Sequence, residues 1–96
     1  MRYLTVDGMM SGTGIRDTVE GGYCDLQELG LSKKLIERIS IWLVEYEEAH
    51  FDQYEDTAVV EKLDLEGLSI CRRVKEELVD VKVEYFSNAK MKRVIL

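Results

Sequence analysis

The sequence predicts an α+β fold in which a small antiparallel or mixed sheet is packed by two amphipathic helices. Two long segments in the middle of the chain place apolar residues at the three- and four-residue spacing of a helix, whereas short runs near both ends are β-branched, aromatic or alternating. The chain has 96 residues, of which 46% are hydrophobic. That length and that apolar fraction suit a single domain over residues 1–96 with one core.

The first third of the chain is expected to hold a strand and a glycine-rich loop. Residues 2–6 combine aromatic and β-branched side chains, which favour a strand. Five glycines lie within residues 8–22 and predict a loop, in which residues 15–19 fit a short edge strand or one arm of a hairpin. Residues 26–29 then fit a single helical turn before the next glycine.

The clearest element is a helix from Lys33 to about Phe51, for which Ser32 is a suitable N-cap. Its apolar side chains fall within an arc of about 100–120° and should face the core. Two further apolar residues, Ile41 and Val44, lie off this stripe among glutamates. They either pack under a second element or form apolar contacts inside an acidic binding face. The stripe itself comprises Leu35, Ile36, Ile39, Trp42, Leu43, Tyr46 and His50.

A second helix is expected after an acidic linker over residues 52–56, and it should end near Val79. It begins either near Thr57 or only at Asp64, because Gly67 weakens the longer version by ~1 kcal/mol relative to alanine. Its apolar residues have the spacing of a buried stripe. That stripe comprises Leu68, Cys71, Val74 and Leu78.

The C-terminal quarter of the chain supplies the remaining strands. Residues 81–86 alternate as in a half-buried strand. Residues 91–96 are apolar enough to form a last strand or a docked tail. Together with the N-terminal strand they are sufficient for a small sheet, which the two helices would cover on one face.

The chain is expected to be a cytoplasmic protein. No run approaches the ~20 apolar residues that span a bilayer, and residues 1–5 lack the charged-then-apolar layout of a secretory signal. In the absence of an export signal, Cys24 and Cys71 are expected to be buried, reduced thiols and not a disulfide.

Side chains that carry catalysis or bind metals are sparse. The only histidine, His50, ends the apolar stripe of the first helix, where a half-buried structural role is the better interpretation. One histidine and two distant cysteines do not make a zinc site. The Gly-x-Gly within residues 8–14 lacks the third glycine and the helix of a dinucleotide-binding loop, so it is expected to be a turn. Its neighbours Met9 and Met10 are adaptable contacts if exposed, or fold back onto the core. We therefore expect no enzyme, no cofactor and no metal.

Negative charge is concentrated in the middle of the chain. Residues 45–66 hold nine Asp or Glu side chains and one lysine, so this segment is more negative than the whole protein, whose formal net charge is −6. Such a field repels phosphate backbones, which argues against direct nucleic-acid binding, and attracts basic proteins. An ordinary solvated face is the alternative, but solubility works with mixed signs. The predicted partner-binding residues are Ile41, Val44, Glu45, Glu48, Asp52, Tyr54, Glu55 and Asp56.

A set of short segments carries a family resemblance: Leu29-Gly-Leu-Ser-Lys-Lys-Leu35, Ile39-Ser-Ile-Trp-Leu43, Tyr46-Glu-Glu-Ala-His-Phe51, Leu63-Asp-Leu-Glu-Gly67 and Glu84-Tyr-Phe-Ser87. In these segments the chain resembles small bacterial immunity proteins, the antitoxins of contact-dependent growth inhibition and related polymorphic toxin systems. The resemblance implies a cytoplasmic protein that neutralises the C-terminal toxin domain delivered by a neighbouring cell, in many systems a basic nuclease such as a tRNase. No site residue is carried over from the family, since its contact residues vary.

The leading hypothesis from the sequence is therefore an immunity protein that binds its cognate toxin in a stoichiometric complex, without turnover. Its main alternative is a small adaptor or regulatory subunit that binds a cellular protein. A third class, a small enzyme that uses the glycine loop, predicts stabilisation by nucleotides. Whether the toxin is bound at its active site or beside it, and in what oligomeric state, stays open at this point.

Overall fold

The computed structural model describes residues 1–95 and confirms the α+β class. Its elements, in chain order, are β1 (Arg2–Asp7), β2 (Ile15–Asp17), α1 (Lys33–Phe51), α2 (Thr57–Glu77), β3 (Val81–Ser87) and β4 (Lys92–Ile95). The strands form one mixed sheet in the order β2-β1-β3-β4, in which β1 and β3 are parallel and both outer pairs are antiparallel. Because both helices lie in the connection from β2 to β3, they pack on one face of the sheet and share a single core with it.

The minor elements differ from the prediction in extent. β2 is three residues long and ends before Thr18, so the expected strand over residues 15–19 is shorter than predicted. The expected helical turn at 26–29 is one hydrogen-bonded turn, in which the N–H of Leu29 donates to the carbonyl of Asp25 at 3.1 Å. The last strand is present, but all four of its residues are exposed, which contradicts a docked tail. Leu96 lies outside the described residues.

Helix α1 is bounded by two capping arrangements. Ser32 caps its first turn with its side-chain oxygen, as predicted. At its end the N–H of Gln53 donates to the carbonyl of His50, and that of Tyr54 donates to the carbonyl of Ala49, both at 2.9 Å. This pair of bonds is the Schellman motif. Gln53 and Tyr54 both adopt left-handed backbone conformations, with φ of 57° and 56°.

Substitution of Gln53 by glycine is expected to stabilise the protein by about 0.5–1 kcal/mol. A left-handed conformation costs a residue with a side chain about 1–2 kcal/mol, and the greater entropy of glycine in the unfolded chain offsets part of the gain. The urea midpoint should rise with an unchanged m-value. Gln53→Ala, which keeps the Cβ atom, is the matched control and should not stabilise. A glycine variant that unfolds at lower urea than the parent would contradict the prediction.

The apolar stripe of α1 is confirmed except at its C-terminal end. Ile36 and Leu43 are half-buried, and the prediction was wrong for His50, which is exposed. Ala49 takes the buried position in its place, because it follows Tyr46 by three residues on the same face. The buried residues of α1 are Leu35, Ile39, Trp42, Tyr46 and Ala49.

Helix α2 takes the longer of the two predicted forms. Asp56 is its N-cap and accepts hydrogen bonds from the backbone N–H groups of Ala58 and Val59 at 3.0 and 3.3 Å. The helix ends at Glu77, two residues before the predicted end. Of its predicted stripe, Cys71 and Val74 are buried and Leu68 and Leu78 are half-buried. The buried set also includes Val60, Leu63, Asp64, Gly67 and Ile70.

Gly67 sits inside α2 because an aromatic ring packs directly on the helix there. A Cβ atom at Gly67 would overlap the ring atoms Cε1 and Cζ of Tyr85 on β3. The ring is held in place by its hydroxyl, which donates to the Asp64 carboxylate at 2.6 Å. Close approach of the strand therefore outweighs the loss of helix propensity, which explains why the helix runs through this glycine.

We expect Gly67→Ala to destabilise the protein by about 1–3 kcal/mol, the usual cost of an overpacked core. Helix propensity alone predicts the opposite sign, a gain of ~1 kcal/mol. Thermal and urea unfolding measure the difference. Lys75→Ala on the exposed side of the same helix is the control and should stay within about 0.5 kcal/mol of the parent. A more stable Gly67→Ala variant would show that the ring moves aside freely.

The sheet face away from the helices holds a polar network that the alternation of β3 does not predict. Alternation in a half-buried strand would place Glu84 on the solvent face, yet it is fully buried. Its carboxylate accepts hydrogen bonds from the hydroxyls of Tyr3 and Thr5 at 3.1 and 2.9 Å and lies 3.4 Å from the guanidinium of Arg93. Partners on β1 and β4 satisfy the charge, which is why this face carries a buried acid.

Both cysteines are free, as predicted. Cys71 is buried against β3, and burial raises the pKa of its thiol to about 12. The expectation of burial was wrong for Cys24, which is half-buried beside β2 because it lies in the loop at the edge of the sheet. Among the described residues, neither helix has the length and apolar character needed to cross a bilayer.

Candidate functional site

An acidic groove lies between the C-terminal half of α1 and the N-terminal half of α2. It has a volume of about 310 Å³, and six of the eleven residues around it are carboxylates, against one lysine. We call this the acidic groove. It is lined by Glu45, Glu48, Ala49, Asp52, Tyr54, Glu55, Asp56, Val59, Lys62, Leu63 and Glu66.

The groove exists because two helices of a hairpin turn equivalent faces toward each other. Its α1 wall consists of positions 45, 48, 49 and 52, and its α2 wall of positions 59, 62, 63 and 66. Both sets have the spacing i, i+3, i+4, i+7, which places their members on one helix face. The short connection between the helices closes the end of the groove with residues 54–56.

The structure brings six of the eight predicted partner-binding residues to this groove. They are Glu45, Glu48, Asp52, Tyr54, Glu55 and Asp56. Ile41 lies in an adjoining depression of about 440 Å³ that shares Glu45 and Glu66 with the groove. Val44 lines neither. Ile41 and Val44 are 64% and 57% exposed, so the alternative in which they pack under a second element does not hold. The reason is that α2 packs on the Trp42 side of α1 and leaves their side open.

In the part of the chain that the structure describes, four of the nine carboxylates of residues 45–66 have a partner in an ion pair or a helix cap, and five have neither. Glu61 and Asp64 share the ammonium of Lys90, at 2.6 and 3.5 Å. Glu66 pairs with the guanidinium of Arg38. Asp56 is the N-cap of α2. The remaining five are exposed and make no ion pair within residues 1–95: Glu45, Glu47, Glu48, Asp52 and Glu55.

Aromatic rings support the closed end of the groove from beneath. The Tyr46 ring lies edge-on to those of Trp42 and Tyr54, with centroids 5.3 and 6.0 Å away. Trp42 also donates its indole N–H to the backbone carbonyl of Leu63 on α2 at 2.9 Å, which ties the two helices together. Burial raises the pKa of the half-buried Tyr54, so its hydroxyl stays protonated beside the carboxylates. The carboxylates are thus mounted on a tightly packed support.

Sequence reasoning missed the residues that α2 contributes. These are Val59, Lys62, Leu63 and Glu66, with Ala49 on α1. A signal for them was present, because an N-cap at Asp56 sets the phase of α2 and places the four α2 positions on one face. Choosing Asp56 over Asp64 as the start of the helix would have placed these four positions on one face, but that this face meets α1 depends on long-range packing.

Gly8 of the glycine loop and the histidine line a common cavity beside the acidic groove. Gly8 is used for packing, since a Cβ atom there would overlap the ring of Tyr46. His50 is exposed and its Nδ1 lies 3.2 Å from the hydroxyl of Tyr54. Within residues 1–95, His, Cys, Asp and Glu side chains form no cluster of three or more that could hold a metal ion.

In comparisons with known proteins, no family model, curated protein or solved structure matches the chain. The candidate site is therefore defined by its own geometry and charge.

Proposed function

We infer that this chain is a cytoplasmic immunity protein that binds and neutralises a basic toxin domain, a nuclease such as a tRNase, through the acidic groove. The observation that supports the proposal is the groove itself, where five carboxylates besides the Arg38-paired Glu66 face a single lysine. The mechanism is stoichiometric occupation of a cationic surface, without turnover.

Electrostatics favours a partner that is a basic protein. Carboxylates left without ion pairs keep their full field, and a concave site between low-dielectric walls focuses that field outward. A nuclease must hold phosphates with lysine and arginine, so its substrate cleft has the complementary charge and a comparable row of cationic groups. Glu45, Glu48, Asp52 and Glu55 would occupy the positions that phosphates take in the toxin's substrate.

Apolar contacts beside the carboxylates would supply much of the binding free energy. Charge pairs at an interface mainly set the association rate and specificity, whereas desolvated apolar and aromatic side chains usually dominate affinity. Ile41 lies in the depression that adjoins the groove, and Val44, next to Glu45 in the chain, is exposed beside it. Tyr54 forms part of the wall at the closed end of the groove. These three residues are the proposed apolar contacts.

A capture experiment with a defined functional readout tests the proposal. The protein is immobilised, a partner is captured from an extract of the native bacterium and identified by mass spectrometry, and the purified pair is then studied. The expected partner is a basic domain encoded directly upstream, which binds one to one and loses its nuclease activity at one equivalent. Raising the salt concentration should slow association. An acidic partner, or a complex in which the partner keeps its activity, would instead favour the adaptor or regulatory-subunit hypothesis.

A further inference from the structure

A second cavity, of about 360 Å³, lies next to the acidic groove and shares Tyr54 with it. Its lining includes three of the chain's four methionines, Met9, Met10 and Met91. They come from the loop after β1 and from the turn between β3 and β4, segments about eighty residues apart in the chain that the parallel β1–β3 pairing brings together. We call this cavity the methionine pocket; the rest of its lining is Gly8, His50, Tyr54 and Asn88.

The methionine pocket differs from the groove in chemistry. Within the described part of the chain its lining has no Asp, Glu, Lys or Arg side chain. Met9, Met10 and Met91 are 51%, 37% and 74% exposed, so the alternative in which Met9 and Met10 fold back onto the core does not hold. Methionine is unbranched and polarisable and adapts to apolar groups of different shape. Exposed apolar residues gathered around a concavity indicate a binding site more than a solvated surface.

Tyr54 joins the two sites into one surface. Its ring lies between the rings of Tyr46 and His50, with centroids 6.0 and 5.7 Å away, so the shared wall is held from both sides. An extended chain advances about 3.3 Å per residue. A segment that places basic residues in the groove therefore reaches the methionine pocket within a few residues. Because the groove is acidic, the part of that segment that binds in it should be basic.

We propose that the methionine pocket receives an aliphatic or aromatic side chain of the basic partner, carried a few residues from the lysines or arginines that occupy the acidic groove. This inference rests on the proposed function and specifies the partner further: its binding segment is basic and then apolar. The groove favours a basic partner and raises its association rate. The pocket slows dissociation, because it buries one apolar side chain of the partner.

The test uses synthetic peptides as probes and the intact protein labelled with ¹³C in its methionine methyl groups. One set carries four alternating arginines and lysines followed by a single leucine, which is moved one position at a time through six positions after the basic block. The matched set has serine in place of leucine. Affinity and methyl chemical shifts are recorded for each peptide. At one or more spacings the leucine peptide should bind about ten- to a hundredfold more tightly than its serine counterpart.

The methyl signals locate the binding. Those of Met9, Met10 and Met91 should shift with the leucine peptide, whereas that of Met1, which is 78% exposed outside the pocket, should not. The double variant Met9→Ser/Met91→Ser should reduce the affinity of the leucine peptide to that of the serine peptide. The control is Val19→Ser/Val79→Ser, which alters two residues that are 82% and 92% exposed elsewhere, and it should leave both affinities unchanged.

The outcomes separate this inference from the proposed function. Equal binding of leucine and serine peptides at every spacing, with unmoved methionine methyls, overturns the pocket's role and leaves the groove intact. Failure of both sets to bind at low salt counts against the groove, and with it the pocket as part of the same interface. Methionine shifts that depend on protein concentration without peptide would assign the pocket to a second copy of the chain and overturn the inference.

Discussion

Reversal of three groove carboxylates, Glu45→Lys, Glu48→Lys and Asp52→Lys, is expected to abolish association with a basic partner and leave the fold intact. The groove would then hold three carboxylates and four ammonium groups in place of six and one. Loss of steering lowers the association rate by about 10²–10³-fold at low salt, and like charges facing each other cost several kcal/mol more. We expect at least a thousandfold loss of affinity, measured by surface plasmon resonance with the captured partner.

The choice of residues in this variant follows from what each carboxylate does in the folded chain. Glu45, Glu48 and Asp52 are exposed and make no ion pair among residues 1–95, so reversal removes no intramolecular contact of that kind. Asp56 also lines the groove, but its side chain caps α2, and its replacement would cost about 0.5–2 kcal/mol of stability. Leaving Asp56 in place keeps the binding result free of an effect on folding.

The control for this variant is Glu20→Lys/Glu28→Lys/Glu76→Lys, which changes the net charge equally at exposed positions outside the groove. Circular dichroism and urea unfolding should give both variants the stability of the parent within about 1 kcal/mol. If the control loses as much affinity as the groove variant, net charge and not the groove is responsible. If neither loses affinity, the partner binds another surface.

Local features of the sequence were enough to predict the first helix and most of the candidate site. Ser32 and the regular apolar spacing set both the bounds and the phase of α1. Once that phase is known, the outward direction of Glu45, Glu48 and Asp52 follows from helix geometry alone. These three residues meet in the groove for this reason, and the short connection to α2 brings the other three predicted groove residues to its end.

Features that depend on distant partners could not be predicted in this way. Gly67 has a low helix propensity, which disfavours a helix at this position. Only the close packing of the Tyr85 ring explains why a glycine lies inside α2. The alternation of β3 predicts that Glu84 faces solvent, but it is buried, with partners for its carboxylate on two other strands. The α2 wall of the groove depends on how the two helices pack, which the Trp42 hydrogen bond to α2 and the Tyr85 contact determine together.

Replacement of Asp64 by alanine is expected to cost about 3–5 kcal/mol of stability, a large part of the 5–15 kcal/mol typical of a whole domain. Asp64 lies on the buried face of α2 and accepts hydrogen bonds from the hydroxyls of Tyr85 at 2.6 Å and Ser87 at 3.0 Å. Burial raises the pKa of Tyr85, and the hydrogen bond to Asp64 raises it further, so the phenol remains a donor throughout the working pH range. Alanine would leave both hydroxyls without their acceptor in the core. The melting temperature should fall by at least about 12 °C.

A double-mutant cycle with Tyr85→Phe separates this hydrogen bond from a general loss of packing. Phenylalanine keeps the ring over Gly67 and removes only the hydroxyl, so we expect Tyr85→Phe alone to cost about 1.5–3 kcal/mol, as for a bond to a charged group. In Asp64→Ala/Tyr85→Phe there is no unpaired phenol, and the double variant should be more stable than the sum of the single effects predicts by about 1–3 kcal/mol. Additive effects would mean that Asp64 does not hold Tyr85 in place. Since the ring of Tyr85 fixes β3 against α2, that result would also leave the position of the α2 wall of the acidic groove without its proposed support.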